Sequence, residues 1–336
     1  MVACKPSASG FDHGAARPYH RRDMRVPTVS PPTYRRITLF ALVALTFIVV
    51  TGAAVRLTGS GLGCPDWPTC SENRVVAPWE YHAMVEFVNR TITGLVSVAV
   101  MLAVLGSLVR VPRRRDLLWL SLGLVGGVIG QIVLGGLTVI FELKPGFVMA
   151  HFLVSMVLIA NAVVLHHRAG RRAGPTRPAV SRDLMALGRL GVASAALAIF
   201  LGTIVTSSGP HGGDEHAERL PFLLPDVARL HGIGVMLFLA VALVTLVRLR
   251  RAGVDATILR RSEVLLAVLV AQAALGYVQY FTGVPALLVG FHVAGATAVW
   301  VAVLRLHLAF SVPVRGTGGE DGGGSVEPWT VALTSR

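Results

Sequence analysis

The sequence predicts an all-α membrane protein, with eight transmembrane helices arranged as two repeated four-helix bundles. Apolar residues make up 53% of the 336 residues and charged residues only 15%. The apolar residues fall in runs long enough to cross a bilayer, and the second half of the chain repeats features of the first. The net charge of +13 does not indicate nucleic-acid binding, because the basic residues cluster in short loops between the runs.

Eight apolar runs are expected to span the membrane. They are Ile37–Leu57, Val88–Val109, Leu117–Phe141, Phe147–Leu165, Leu187–Thr206, Val227–Val247, Ser262–Phe281 and Leu287–Phe310. Arginines concentrate before the first run and after the second, fourth and sixth, whereas the alternate loops hold few bases and most of the acids. The positive-inside rule then predicts a protein of the cell membrane with both termini cytoplasmic and the loop after the first run outside.

The same pattern divides the chain into five segments. They are a disordered cytoplasmic tail (1–34), an N-terminal half (35–170), a cytoplasmic linker (171–186), a C-terminal half (187–312) and a second disordered cytoplasmic tail (313–336). The first tail is polar, Pro-rich and basic, and lacks the apolar core of a signal peptide. Translation could also start at Met24, which would remove the unpaired Cys4.

The two halves share a repeated pattern. Gln131, Leu134, Gly135 and His151 recur as Gln272, Leu275, Gly276 and His292. The offset is 141 residues (292 − 151), whereas Val55–Gly59 resembles Val205–Gly209 at an offset of 150 (205 − 55). Four spans per copy keep both halves in the same orientation, so we expect a parallel repeat of two four-helix bundles.

Four polar residues occupy equivalent places inside the predicted spans: Asn89, His151, His231 and His292. Each lies a few residues inside an even-numbered span, and the second and fourth helices of a bundle lie on its diagonal. We therefore expect His231 to face His292, and Asn89 to face His151. A lone histidine in a membrane often bonds only to a neighbouring helix, but a repeated pair fits two axial ligands of a haem iron better than a zinc site, which normally needs three or four ligands.

Glu86, Asn89 and Arg90 share one face of the second span, because they are spaced i, i+3 and i+4. Glu86 and Arg90 could form an ion pair at the start of the helix. Alternatively, the carboxylate points into the first bundle and takes part in its chemistry. The second half has Ala228 three residues before His231, and this lack of a matching carboxylate favours a functional role for Glu86.

Cys64 and Cys70 lie in a loop rich in Gly, Pro and Trp, directly after the first span. With five residues between them, the two cysteines could close a small ring if the loop faces an oxidising compartment. In the second half, His211 follows the segment that matches this loop's start, and its role is open.

The string Val55-Arg56-Leu57-Thr58-Gly59-Ser60-Gly61-Leu62, followed by Cys64-Pro65-Asp66-Trp67-Pro68, resembles the heme A synthase family. Glu86, Arg90 and the three membrane histidines add to a resemblance that covers about residues 35–310. The family's reaction is successive hydroxylation of one methyl group of heme O, followed by loss of water to leave a formyl group. The resemblance thus implies an enzyme of cytochrome oxidase assembly that supplies heme A to terminal oxidases.

The resemblance also implies roles for individual residues. His231 and His292 would hold heme b, and Glu86 would lie near the reacting methyl of heme O in the N-terminal half. The family usually has a histidine where this chain has Asn89, so His151 would be the only strong ligand of the substrate, with Arg90 nearby. Cys64 and Cys70 match the family's outer-loop pair, which implies a disulfide.

Other assignments remain open at this point. The main alternative is a duplicated four-helix cytochrome b-type electron carrier without chemistry of its own, and a second is a transporter built on a parallel repeat. The expected partners are the heme O substrate and the lipid bilayer. The sequence does not identify the electron donor, and contact with heme O synthase or with a second copy of the chain is undetermined.

Overall fold

A computed structural model describes residues 28–71 and 76–314. Within these residues it has eight helices long and apolar enough to cross a membrane. They are α1 (Pro31–Leu57), α2 (Tyr81–Val109), α3 (Arg115–Ile140), α4 (Pro145–Ala169), α5 (Arg182–Ser208), α6 (Leu224–Arg251), α7 (Ala256–Phe281) and α8 (Ala286–Ala309). The predicted all-α membrane class and the number of spans are confirmed. Cys4, Met24 and the chain after residue 314 lie outside the described residues.

The first helix begins earlier than the hydropathy pattern predicts. Ser30 caps it by accepting a hydrogen bond from the backbone N–H of Thr33, and prolines fill the first helical positions, where their missing N–H groups cost nothing. Tyr34 is fully buried and donates its hydroxyl to the carbonyl of Ala103. The end of the predicted 1–34 tail is therefore part of α1, because capping residues rather than apolar ones set the start of the helix.

The predicted linker 171–186 and the start of the C-terminal tail also contain regular structure. Strand β1 (Thr176–Pro178) pairs antiparallel with strand β2 (Ser311–Pro313). Helix α5 then begins at Arg182, so its first five residues lie inside the predicted linker, because Ser181 caps it. Backbone pairing between distant segments accounts for the first difference and side-chain capping for the second, and hydropathy detects neither.

The helices pack as two groups of four. In the first group α1 contacts α2 and α4, and α3 contacts α2 and α4; α5, α6, α7 and α8 repeat this pattern. The groups meet through α4 with α8, α1 with α8, and α4 with α5. Exchanging α1–α4 for α5–α8 leaves this set of pairs unchanged. The contacts agree with a parallel repeat, which stays a prediction.

Two side chains join the halves by hydrogen bonds to backbone carbonyls. The Trp300 indole on α8 donates to Met156 of α4 over 2.9 Å. The Arg56 guanidinium at the end of α1 donates to Thr206 at the end of α5 over 2.8 Å. An apolar core formed by helices of both halves surrounds the first of these contacts. The two bonds hold the halves together at two different levels along the helices.

Candidate functional site

The structure brings His231 and His292 together in the C-terminal half. Their ring centroids are 6.4 Å apart and their planes are inclined by 72°. The Nδ1 atom of His231 lies 3.0 Å from the carbonyl oxygen of Ala198. That contact assigns the proton to Nδ1 and leaves Nε2 unprotonated, as in a metal-binding imidazole whose other nitrogen is held by the protein.

The separation of the two rings suits a metal ion between them. Two metal–imidazole bonds of about 2 Å each, together with the two ring radii, fill a centroid distance of roughly 6 Å. A glycine faces each ring: a Cβ added at Gly202 would lie 3.2 Å from Cε1 of His231, and one at Gly276 would lie 3.0 Å from Cε1 of His292. Over the described ranges, no group of three or more His, Cys, Asp and Glu that could hold a metal ion is present, and this pair offers two imidazole nitrogens.

His151 has the same local setting in the N-terminal half. A Cβ at Gly135 would lie 3.6 Å from its Cε1 atom. Gln131 donates to the carbonyl oxygen of His151 over 2.9 Å, and Gln272 donates to that of His292 over 2.7 Å. The glutamines that are matched in the sequence therefore perform the same task, which is to fix the backbone turn that carries each histidine.

Asn89 departs from this pattern. Its side-chain oxygen accepts a hydrogen bond of 2.8 Å from the hydroxyl of Thr51. At the 150-residue offset, Gly52 is the equivalent of Gly202 (202 − 52). A Cβ at Gly52 would meet no atom of the described residues within 4 Å. The first half thus has an amide and open space where the second half has the His231 imidazole against a glycine.

The Glu86 carboxylate is buried, with 6% exposure, and within the described residues it accepts hydrogen bonds from Arg90 and Cys64. Its Oε1 atom accepts from the Arg90 guanidinium, with Nε at 3.1 Å, and its Oε2 atom accepts from the backbone N–H of Cys64 over 2.8 Å. The ion pair, one of the two alternatives left by the sequence, is therefore present. The same carboxylate also binds the cysteine loop.

Arg90 binds that loop at three further points. Its guanidinium donates to the carbonyl oxygens of Cys64 at 3.3 Å, Asp66 at 3.1 Å and Thr69 at 2.9 Å. Cys64 and Cys70 form a disulfide, and both are buried. Arg90 thus binds backbone carbonyls of the ring that the disulfide closes, a role that the sequence did not predict. We call the Glu86–Arg90 pair and its contacts with residues 64–70 the loop clamp.

The cysteine loop lies over the end of the first half. The Trp67 ring packs on α3, where a Cβ at Gly136 would come within 3.0 Å of it. The Ser60 hydroxyl lies 2.9 Å from Nδ1 of His82. His82 belongs to the first turn of α2, which begins at Tyr81, seven residues before the predicted span starts at Val88. That turn is too polar for a hydropathy pattern to include.

The outer loop of the second half makes comparable connections. His211 lies 2.8 Å from the carbonyl oxygen of Val284, in the turn between α7 and α8. The N–H of Gly61 in the cysteine loop donates to the carbonyl of Gly213 over 2.8 Å. Arg219 donates to the carbonyl of Pro210, and burial lowers the pKa of Arg219. His211 therefore connects this outer loop to the turn between α7 and α8, a role that the sequence alone did not indicate.

Together these features define a multi-pass helical membrane protein with imidazoles buried among its spans and a disulfide-closed loop over one half. Residues 35–210 match the family model for cytochrome oxidase assembly protein, COX15-CtaA. The match covers 176 of 336 residues (210 − 35 + 1), more than half of the chain. The chain belongs to this family, which confirms the resemblance noted in the sequence.

Curated relatives carry the name heme A synthase. The protein of Macrococcus caseolyticus is 28% identical over 131 residues, which cover 38% of this chain and 43% of that protein. The protein of Listeria welshimeri is 29% identical over 133 residues, with the same coverage of both chains. The protein of Exiguobacterium sibiricum is 28% identical over 160 residues, or 45% of this chain and 54% of that protein. The chain thus spans about half the length of the curated relatives it matches.

Proposed function

We propose that this protein is a heme A synthase, which oxidises a methyl group of heme O to a formyl group by successive hydroxylation. Its family and the names of its relatives support the reaction class. The product, heme A, would serve terminal oxidases. The observation that carries the proposal is the difference between the two halves at equivalent positions.

The second half offers a closed two-imidazole site, and the first half does not. His231 and His292 face each other at a distance that suits an iron ion, which favours a resident heme b. In the first half, Asn89 stands at the position matching one imidazole and accepts a hydrogen bond from Thr51, so His151 would be the one strong ligand that the described residues offer. A site with one ligand fits a substrate that must bind, react and leave better than a permanent cofactor.

The histidines and Glu86 would then have separate roles. His231 and His292 would hold heme b, which when bound supplies electron transfer. His151 would orient heme O in the first half. Glu86 is retained as the candidate catalytic carboxylate, since a carboxylate near the reacting methyl can accept a proton. The Arg90 guanidinium and the N–H of Cys64 hold this carboxylate in place, and its Oε2 atom accepts only one of the hydrogen bonds found in the described residues.

Orientation and partners are part of the proposal. We place both termini in the cytoplasm and the cysteine loop outside, where a disulfide persists. Heme O synthase is the expected source of the substrate and a second copy of the chain is a candidate partner, while the electron donor remains unidentified. We keep the N-terminal half as the substrate site and the C-terminal half as the heme b site, with the helix boundaries corrected as above.

The test is expression in a host that makes heme O but not heme A, followed by pigment extraction and mass analysis. We expect heme A in cells with the wild-type chain and none in cells with the empty vector. The matched control is Glu86→Gln, which keeps the size and polarity of the side chain. If the wild-type chain accumulates with bound heme but yields no heme A, the proposal fails and the duplicated cytochrome b-type carrier takes its place.

A further inference from the structure

A groove of about 840 Å³ lies between the two halves, and no histidine of the described residues lines it. Helix α8 forms its floor and contacts both α1 and α7, which form its walls. The lining is apolar over most of its length, with Phe47, Val264 and Val301 among its residues. Its volume is in the upper part of the range found for small-molecule sites.

One end of the groove carries three arginines: Arg260, Arg261 and Arg305. Arg261 donates to the backbone carbonyl of Arg305 over 3.0 Å, so two of the guanidinium-bearing residues are in direct contact. Among the ion pairs of the described residues, none includes any of the three. The nearby carboxylate of Glu263 is paired with Arg250 instead. The end of the groove is therefore a cluster of positive charge that lacks a protein counter-charge in the described part of the chain.

The length of the groove matches one leaflet of a membrane. Along α8 it runs from Ala294 to Arg305. These residues are eleven positions apart (305 − 294), or about 16 Å at the helical rise. Half of a hydrocarbon core of about 30 Å is close to that length. The arginines lie where α7 begins and α8 ends, which is the predicted cytoplasmic surface, and the apolar part reaches the middle of the membrane.

The equivalent positions in the first half lack these charges. At the 141-residue offset, Arg260, Arg261 and Arg305 correspond to Trp119, Leu120 and Val164. The positive-inside rule accounts for arginines in loops, but Arg305 lies within α8, four residues before its end at Ala309. The internal repeat therefore does not explain the arginine cluster, and the positive-inside rule does not explain Arg305.

We infer that this groove binds one anionic phospholipid of the predicted cytoplasmic leaflet, with its phosphate on the arginine cluster and an acyl chain along α8. A phosphate supplies the missing negative charge, and guanidinium groups bind phosphate oxygens with good geometry. Basic pockets between transmembrane helices on the cytoplasmic side bind anionic headgroups in this way. The bound lipid would fill the seam between the halves and does not depend on the proposed function.

The test is native mass spectrometry of the purified protein with added phosphatidylglycerol or phosphatidylcholine of the same acyl chains. We expect wild-type protein to retain phosphatidylglycerol at least several-fold better. Arg261→Gln/Arg305→Gln should lower that retention about tenfold, while Arg113→Gln/Arg115→Gln, which removes the same charge outside the groove, should not. Ala298→Trp, which fills the groove, should lower the retention of both lipids.

Two results would overturn the inference. One is equal retention of the two lipids by wild-type protein, since the arginines would then not select the headgroup. The other is equal loss in the groove variant and its control, since net charge alone would then explain the binding. If the groove variant does not fold, the salt dependence of lipid retention by the wild-type protein still tests the inference. Its preference for phosphatidylglycerol must fall as salt is raised, and a salt-independent preference contradicts a phosphate–arginine contact.

Discussion

Removing the Arg90 side chain should release the cysteine loop without unfolding the helices. Arg90→Ala deletes the ion pair with Glu86 and the bonds to three loop carbonyls. It leaves a carboxylate with 6% exposure whose remaining donor is the N–H of Cys64. Breaking a buried pair in this way costs about 3–5 kcal/mol. The Arg90 side chain is 24% exposed, so we expect the lower end, about 3 kcal/mol.

The assay is the rate at which a thiol reductant opens the Cys64–Cys70 disulfide, followed by alkylation and mass mapping. If reduction requires the loop to open locally, a loss of about 3 kcal/mol makes it roughly a hundredfold faster. Arg90→Lys should fall between, because an ammonium group keeps the charge but lacks the planar fork. Arg113→Ala, a remote charge deletion, is the control and should reduce at the wild-type rate.

A double variant separates the ion pair from the loop contacts. Glu86→Gln/Arg90→Ala leaves no buried charge, so its loop should open less readily than that of Arg90→Ala alone. The reasoning is refuted if Arg90→Ala is reduced at the wild-type rate while its heme spectrum shows a folded protein. Finding both thiols free in wild-type protein isolated without reductant would remove the disulfide itself.

The remaining predictions concern the two heme sites. His231→Ala or His292→Ala should each abolish a low-spin heme spectrum in the purified protein, and a spectrum kept by both variants would contradict the assignment. Glu86→Gln should bind heme normally and lose most heme A formation in the heme O host; wild-type yields would end its catalytic role. Asn89→His offers the substrate a second imidazole, so we expect a more low-spin substrate heme and slower turnover. A faster Asn89→His enzyme would leave no role for an open iron position.

The sequence could predict the spans because each helix carries its own signal. The helices are 24 to 29 residues long, about 36–44 Å, and their apolar composition is local information. It could also predict that His231 would face His292, since each lies a few residues inside an even-numbered span and such spans lie on the diagonal of a four-helix bundle. The structure adds that Gln272 supports the position of His292 through its backbone carbonyl.

The loop clamp could not be predicted in the same way. The i, i+4 spacing of Glu86 and Arg90 indicated an ion pair. It did not indicate that the carbonyls of Asp66 and Thr69 would turn toward the guanidinium, because that depends on the path of a loop twenty residues away in the chain. The early start of α1 at Ser30 was missed for a different reason, since capping depends on one hydroxyl and not on an apolar run.

The bond from Arg56 to Thr206 has a consequence for how chains can combine. At the 150-residue offset these two residues are equivalent (206 − 56), so the contact joins matching points of the two predicted copies. If two N-terminal halves from separate molecules associated in the same manner, guanidinium would meet guanidinium and repel. At position 206 the side chain is uncharged, so the guanidinium of Arg56 can approach and donate to the backbone carbonyl there. Each half thus pairs better with an unlike half than with a second copy of itself, and association of two N-terminal halves is disfavoured.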